Sequence, residues 1–319
     1  MERLTEFPFV EDTGASRLRM MFCFHHAGGS AAVFRPWTKY QERLMVVPVE
    51  LPGKATRISE KPATDGEQLV GSLAGAMAEM INDQEYCVYG HSMGAMLGFK
   101  TAALLESEYG MVPRLMVVAG RHEPLRSPVS HFHSSQGEEA LISELVRLGG
   151  TPAELLADRE LLGWLLPQII ADYRIDETLV HRGEILSCPI HAHVGCEDTE
   201  TPAELVVGWQ AMTSAQFELR SFEGDHFFPH QPGTAYYREL EEEMCANPRT
   251  SARQRHRQSN HPGDVEEKDE EDLFLEIQAR IQQGMKKNQA IKEVAKIYQW
   301  NKSQLYAAYH EWEENQSDD

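Results

Sequence analysis

The stretch that decides the reading is Tyr86-Cys87-Val88-Tyr89-Gly90-His91-Ser92-Met93-Gly94-Ala95-Met96-Leu97. A short apolar, strand-like run enters it and a helix-like run leaves it. Its centre fits G-x-S-x-G. Between a strand and a helix, that pattern makes a nucleophile elbow, a turn so sharp that the serine hydroxyl projects at the top of a sheet. Side chains two before and two after the serine would clash there, hence Gly90 and Gly94. A helix starting at Ser92 also points the positive end of its dipole at developing negative charge. The plainer alternative is a structural glycine turn, since glycine and serine are common.

Similar runs flank this one. Leu18–Phe24, Leu44–Leu51, Leu115–Ala119, Pro189–Val194 and Phe217–Phe222 read as strands, and all are followed closely by glycine. Gln68–Ile81 and Met93–Tyr109 read as helices between them. Short buried strands alternating with helices predict a mostly parallel sheet covered on both faces. Ligands of such sheets bind beyond the carboxyl ends of the strands, where these loops collect.

A serine hydroxyl needs a base, and an acid must orient that base. In this kind of fold the chain order is Ser, acid, His. His226 follows the last strand-like run in Gly224-Asp225-His226-Phe227-Phe228 and is the expected base; His230 is its nearest rival. The acid should follow the strand before. Gly195-Cys196-Glu197-Asp198 offers Asp198, with Glu197 and Glu200 as alternatives. Two backbone N–H groups must meet the oxyanion. Met93, after the nucleophile, supplies one. Ala27, in His25-His26-Ala27-Gly28-Gly29, supplies the other, unless the glycines there only make a turn. Cys196 with His191 and His193 has the residue types of a zinc site but no further ligand pair at suitable spacing. No metal and no bound cofactor is expected.

The 319 residues are 41% hydrophobic and 25% charged, ordinary for a globular chain. The formal net charge of −20 argues against nucleic acid and anionic membranes as partners. No run is long and apolar enough to span a bilayer. Five scattered cysteines predict no disulfide framework, and a reducing, cytoplasmic compartment.

Ser127 to about Leu179 breaks the strand–helix rhythm with leucines at helical spacing. It reads as a lid insertion, about 127–180, with ordinary sheet-covering helices as the alternative. The hydrolase domain is placed at 1–246. Residues 247–264 are polar and arginine-rich and read as a linker. From 265 to 319 three apolar patterns (Leu273, Ile277, Ile281; Ile291, Val294, Ala295, Tyr298; Leu305, Tyr306, Tyr309, Trp312) predict a small three-helix module.

With these pieces in order, the chain from about Leu18 to Met244 resembles the type II (external) thioesterases of nonribosomal peptide and polyketide assembly lines. The matching residues are Phe24-His25-His26-Ala27-Gly28-Gly29-Ser30, Leu51-Pro52-Gly53, Gly90-His91-Ser92-Met93-Gly94, Leu148-Gly149-Gly150-Thr151-Pro152, Asp172-Tyr173-Arg174, Gly195-Cys196-Glu197-Asp198 and Gly224-Asp225-His226-Phe227-Phe228. The resemblance implies an α/β-hydrolase fold, with Ser92, Asp198 and His226 as triad and Ala27 and Met93 as oxyanion donors. It implies hydrolysis of acyl or aminoacyl thioesters from the phosphopantetheine arm of a carrier protein. A medium-chain fatty acyl thioesterase, or a small-ester carboxylesterase, is the alternative on the same fold. A catalytically silent binding protein is the alternative of another class. Carrier domains are typically acidic, so a basic patch of Lys54, Arg57 and Arg35 is expected near the site. The C-terminal residues Gly284–Ala295 and Leu305–His310 resemble the helical tail of bacterial 16S rRNA ribose methyltransferases. From Asp264 on, 14 acidic residues face 7 basic ones, which favours protein docking over duplex binding.

Overall fold

The computed structural model describes residues 5–10, 18–82, 84–125, 132–231 and 233–246, together with scattered helical positions between 273 and 309. Six strands form one parallel sheet: β1 (Arg19–Phe24), β2 (Leu44–Pro48), β3 (Tyr86–His91), β4 (Met116–Ala119), β5 (Ile190–Gly195) and β6 (Phe217–Phe222). Every predicted strand is present. The order is β2-β1-β3-β4-β5-β6.

The apolar runs explain this arrangement. A strand covered on both faces needs apolar residues at successive positions. All six residues of β3 are buried, and five of six in β1. Alternate β1 side chains enter different cores, with Met20, Phe22 and Phe24 in one and Met21 and Cys23 in the other. The helix Gly66–Ile81 starts where Asp65 accepts the Gln68 N–H, and ends at Asn82 in a left-handed conformation. The helix Met93–Tyr109 ends at Gly110 in the same way. All five cysteines are free thiols.

Strand order reverses between β1 and β3. The chain leaves β1 for β2 on one side and builds β3 to β6 on the other. Such a reversal opens a crevice at the carboxyl ends of the two strands. The loop 25–29 and the elbow 91–93 lie there.

Between β4 and β5 the chain inserts helices Glu138–Leu148, Ala153–Ala157 and Arg159–Thr178. They share a small apolar cluster of their own, including Phe132, Leu141, Leu145, Leu162, Leu166 and Ile169. Part of the segment expected as a lid, residues 127–131, lies outside the described residues.

The chain separates into two compact units, Met1–Ala246 and Asn247–Asp319. In the second, Leu273, Phe274, Ile277, Ala290, Ile291, Val294, Leu305 and Tyr309 form one apolar cluster. The linker expected at 247–264 lies outside the described residues. Among the described residues, no helix is long and apolar enough to cross a membrane.

Candidate active site

Ser92 sits at the junction of β3 and the following helix with φ 54° and ψ −120°. A non-glycine residue holds that conformation only when its surroundings impose it, and such strain collects at functional sites. Here the Ser92 N–H donates to Ala119 O at 2.8 Å. The flanking glycines are forced by close approach. A Cβ on Gly90 would stand 2.3 Å from Gly94 O, and one on Gly94 would stand 2.3 Å from Phe24 O. Met93 opens the helix, so its N–H has no intrahelical acceptor. Met93 and Ala27 line the same cavity as Ser92.

The acid and the base arrive on neighbouring loops. Backbone bonds join these loops: Cys196 N–H to Phe222 O at 2.8 Å and Glu197 N–H to Gly224 O at 2.9 Å. His226 Nδ1 lies 2.9 Å from Asp198 Oδ2. Asp198 also accepts the Glu200 and Thr201 N–H groups at 2.8 and 3.1 Å, and the Thr201 hydroxyl at 2.5 Å. Burial pushes the Asp198 carboxyl up, but His226 and these bonds outweigh it and hold the group below its ordinary value. An ionised Asp198 accepts from Nδ1–H, which leaves His226 Nε2 unprotonated and able to accept a proton. Of the two alternative acids, Glu200 is paired with Arg147, and Glu197 serves the loop through its backbone N–H. Gly120 makes room for the base: a Cβ there would meet His91 Nε2 at 3.2 Å and His226 Cε1 at 3.3 Å.

A buried ion pair braces the loop that carries Ala27. Asp172 Oδ2 accepts the Gly28 N–H at 2.7 Å and meets Lys54 Nζ at 2.5 Å. Lys54 and Asp172 are 4% and 1% exposed. Asp172 stands on the inserted helix 159–178, so that helix is tied directly to the loop carrying Ala27. The sequence motifs around Lys54 and Asp172 were visible, but their partnership across 118 residues was not.

Histidines surround the base. His91 Nε2 donates to His226 O at 2.8 Å, and His91 Nδ1 is 3.2 Å from His230 Nε2. His230 thus contacts His91, and His226 alone holds the acid. Burial lowers His26 to about 4, His25 and His230 to about 3, and His91 well below its ordinary value. These rings are neutral supports.

The cavity holding Ser92 and His226 is walled by Gly120, Arg121, His122 and Thr201, and by Glu144, Leu148, Tyr173 and Asp176 from the inserted helices. The cavity exposes more apolar than polar surface, with charged side chains set into it as ion pairs. Arg121 pairs with Asp176 at 2.8 Å, and Arg147 pairs with both Glu144 and Glu200.

This geometry is that of a serine hydrolase, and the Thioesterase domain family matches residues 19–244. The chain belongs to the thioesterase family. Thioesterase PikA5 of Streptomyces venezuelae is 33% identical over 210 residues, covering 65% of this chain and 74% of the relative. Linear gramicidin dehydrogenase LgrE of Brevibacillus parabrevis is 37% identical over 217 residues, 66% of this chain and 82% of the relative. The solved structure of BorB, the type II thioesterase of the borrelidin cluster, is 32% identical with a TM-score of 0.62. That match covers 72% of this chain and 94% of BorB.

One sequence expectation for this thioesterase changes: the basic patch does not form. Lys54 is buried against Asp172, Arg57 is held by Glu60 at 2.7 Å and Glu6 at 3.6 Å, and Arg35 stacks over Phe9. The residues with the types of a zinc site also part. Cys196 is exposed, while His191 and His193 both face Glu243. That trio is a hydrogen-bonded cluster joining β5 to the helix Ala235–Cys245, and it holds no cysteine ligand.

Proposed function

We propose that this thioesterase hydrolyses acyl or aminoacyl groups from the phosphopantetheine arm of carrier-protein domains in nonribosomal peptide or polyketide synthesis. The observation that carries the reading is the Ser92–His226–Asp198 constellation at the sheet crevice, on a chain whose relatives include thioesterases of such clusters. LgrE is named a dehydrogenase, but a nucleophile elbow is hydrolytic machinery.

The chemistry follows from the geometry. Ser92 Oγ attacks the thioester carbonyl carbon while His226 Nε2 takes its proton. The Ala27 and Met93 N–H groups hold the oxyanion. The C–S bond breaks, and His226 returns the proton to the leaving thiol. Water then attacks the acyl-enzyme as His226 takes its proton. Collapse releases the carboxylic acid and restores Ser92. Asp198 holds the imidazole and stabilises the imidazolium. Beyond water, the phosphopantetheine arrives on the partner, so the reaction needs no cofactor of its own.

A second reading has its own support. The medium-chain S-acyl fatty acid synthase thioesterase of Rattus norvegicus is 32% identical over 219 residues. The charged side chains set into the cavity wall disfavour a long aliphatic chain as the preferred cargo. Glu144, Asp176, Arg121 and Glu200 line the cavity as ion pairs, and an aliphatic chain would strip their remaining water. A short or aminoacyl group keeps those charges hydrated or paired. The C-terminal unit, acidic and separate, serves as a protein-docking element in this reading, and the enzyme works in the cytoplasm.

Turnover of an aminoacyl carrier protein is compared with turnover of a free medium-chain acyl thioester. The reading expects kcat/KM to favour the carrier-borne substrate. A clear preference for the free medium-chain thioester would replace it with the second reading.

A further inference from the structure

His26, His91 and His230 each bring a ring nitrogen to within 4.8 Å of the others. The hydrolytic steps above use none of them to move a proton. Hydrogen bonds determine which nitrogen of each ring is free. A carbonyl oxygen only accepts, so His91 Nε2, bonded to His226 O, carries the proton, and His91 Nδ1 keeps a lone pair. His26 Nδ1 likewise donates to Ala27 O at 2.9 Å, which leaves His26 Nε2 free. His230 Nε2 lies 3.2 Å from His91 Nδ1, while His230 Nδ1 is buried without a hydrogen-bond partner. An imidazole that donates one N–H to a backbone carbonyl and directs its other nitrogen at a shared point has the arrangement of a metal ligand.

We propose that Nε2 of His26, Nδ1 of His91 and Nε2 of His230 form a site for one divalent transition-metal ion of the zinc class, with its fourth position open to water. Zn–N bonds of about 2.0–2.1 Å put tetrahedral ligand nitrogens about 3.3 Å apart. The His91–His230 pair already stands at 3.2 Å. The wider gaps close by small rotations of the half-buried His26 and His230 rings. Three neutral imidazoles without a carboxylate suit zinc or cobalt and suit magnesium or calcium poorly. Binding balances without net loss of a proton: His230 moves its proton from Nε2 to Nδ1, the atom now lacking a partner. Aromatic rings enclose the site. His230 stacks on Trp37 with centroids 6.2 Å apart, and His26 meets Phe227 edge-on at 5.2 Å.

The test uses the full chain stripped with a chelator. Titration with Co²⁺ should give one tight equivalent and the visible absorption of four-coordinate cobalt with nitrogen ligands. Zn²⁺ should displace it and raise the melting temperature. His230→Gln and, separately, His26→Gln should each weaken binding by more than about 100-fold. His191→Gln, in the separate cluster with Glu243, should leave binding unchanged. Should both ligand variants fail to fold, zinc-edge X-ray absorption on the wild type counts the imidazoles. Three support the site and fewer overturn it. No one-to-one complex, or tight binding that survives both ligand variants, also overturns it.

Discussion

The strand-end floor of the cavity and its inserted wall are built on different principles. Ser92, Met93, Asp198 and His226 sit where β3, β5 and β6 end, pinned by close backbone approach and by bonds between loops. The wall is a set of helices with a small core of its own, and it leaves Val146, Leu161 and Trp164 exposed, Trp164 at 73%. The floor spends its order on geometry that the chemistry demands. The wall contributes polar groups and exposed apolar side chains, which chemistry does not require and substrate admission does. The Asp172 contacts with Lys54 and Gly28 join wall to floor as a fully buried polar brace, and the pairs Arg121–Asp176 and Arg147–Glu200 add less buried ties.

Changes to the floor should be severe and specific to turnover. His226→Ala should lower kcat by more than about 10⁴-fold with the fold intact by circular dichroism, because triad members act as a unit. A smaller loss would place the base elsewhere. Asp198→Asn should cost about 10⁴-fold, since the imidazole then loses its correct tautomer.

The acid limb sharpens the same point. The Asp198 carboxyl is held below its ordinary value of 3.8. Its contribution to folding is therefore complete above 3.8 and is lost as pH falls through the lowered folded value. Activity lost well above about pH 4 thus does not come from loss of the Asp198 carboxylate. A pH profile of kcat/KM that tracks unfolding over that range would contradict this.

The brace should respond in stability first. Lys54→Met leaves Asp172 buried without its cation, a change that costs about 3–5 kcal/mol. Thermal melting should show it, and kcat should fall as the Gly28 loop loosens. A variant as stable as the wild type would mean that the pair braces nothing. The wall and the second unit should matter least on a small substrate. Trp164→Ser should change stability by no more than about 0.5 kcal/mol and raise KM for a carrier-borne substrate only. Truncation after residue 248 should leave turnover of a small thioester nearly unchanged. A large loss there would make the second unit part of the hydrolase.

Much of the floor was legible in the chain because its causes are local. Apolar runs closely followed by glycine marked every strand, and the elbow glycines are dictated by neighbours four or five positions away or by β1. Loop position was enough to pair Asp198 with His226, which the structure joins at 2.9 Å. What escaped depends on contacts distant in sequence. Lys54 read as a surface cation because nothing near it announces Asp172. His91 and His230 read as separate histidines, although 139 residues of chain bring them together. The wall was legible as helical leucine spacing, but not the acidic and basic pairs that place charge on its inner face.

The most direct test of the account is to trap the covalent intermediate. Protein is treated with a serine-directed phosphonate or rapidly quenched with an acyl thioester, digested, and read by mass spectrometry. The account predicts modification at Ser92, with none on Ser92→Ala, and a folded Ser92→Ala protein without hydrolysis. Modification at another residue, or a Ser92→Ala protein that keeps most of its activity, would contradict it.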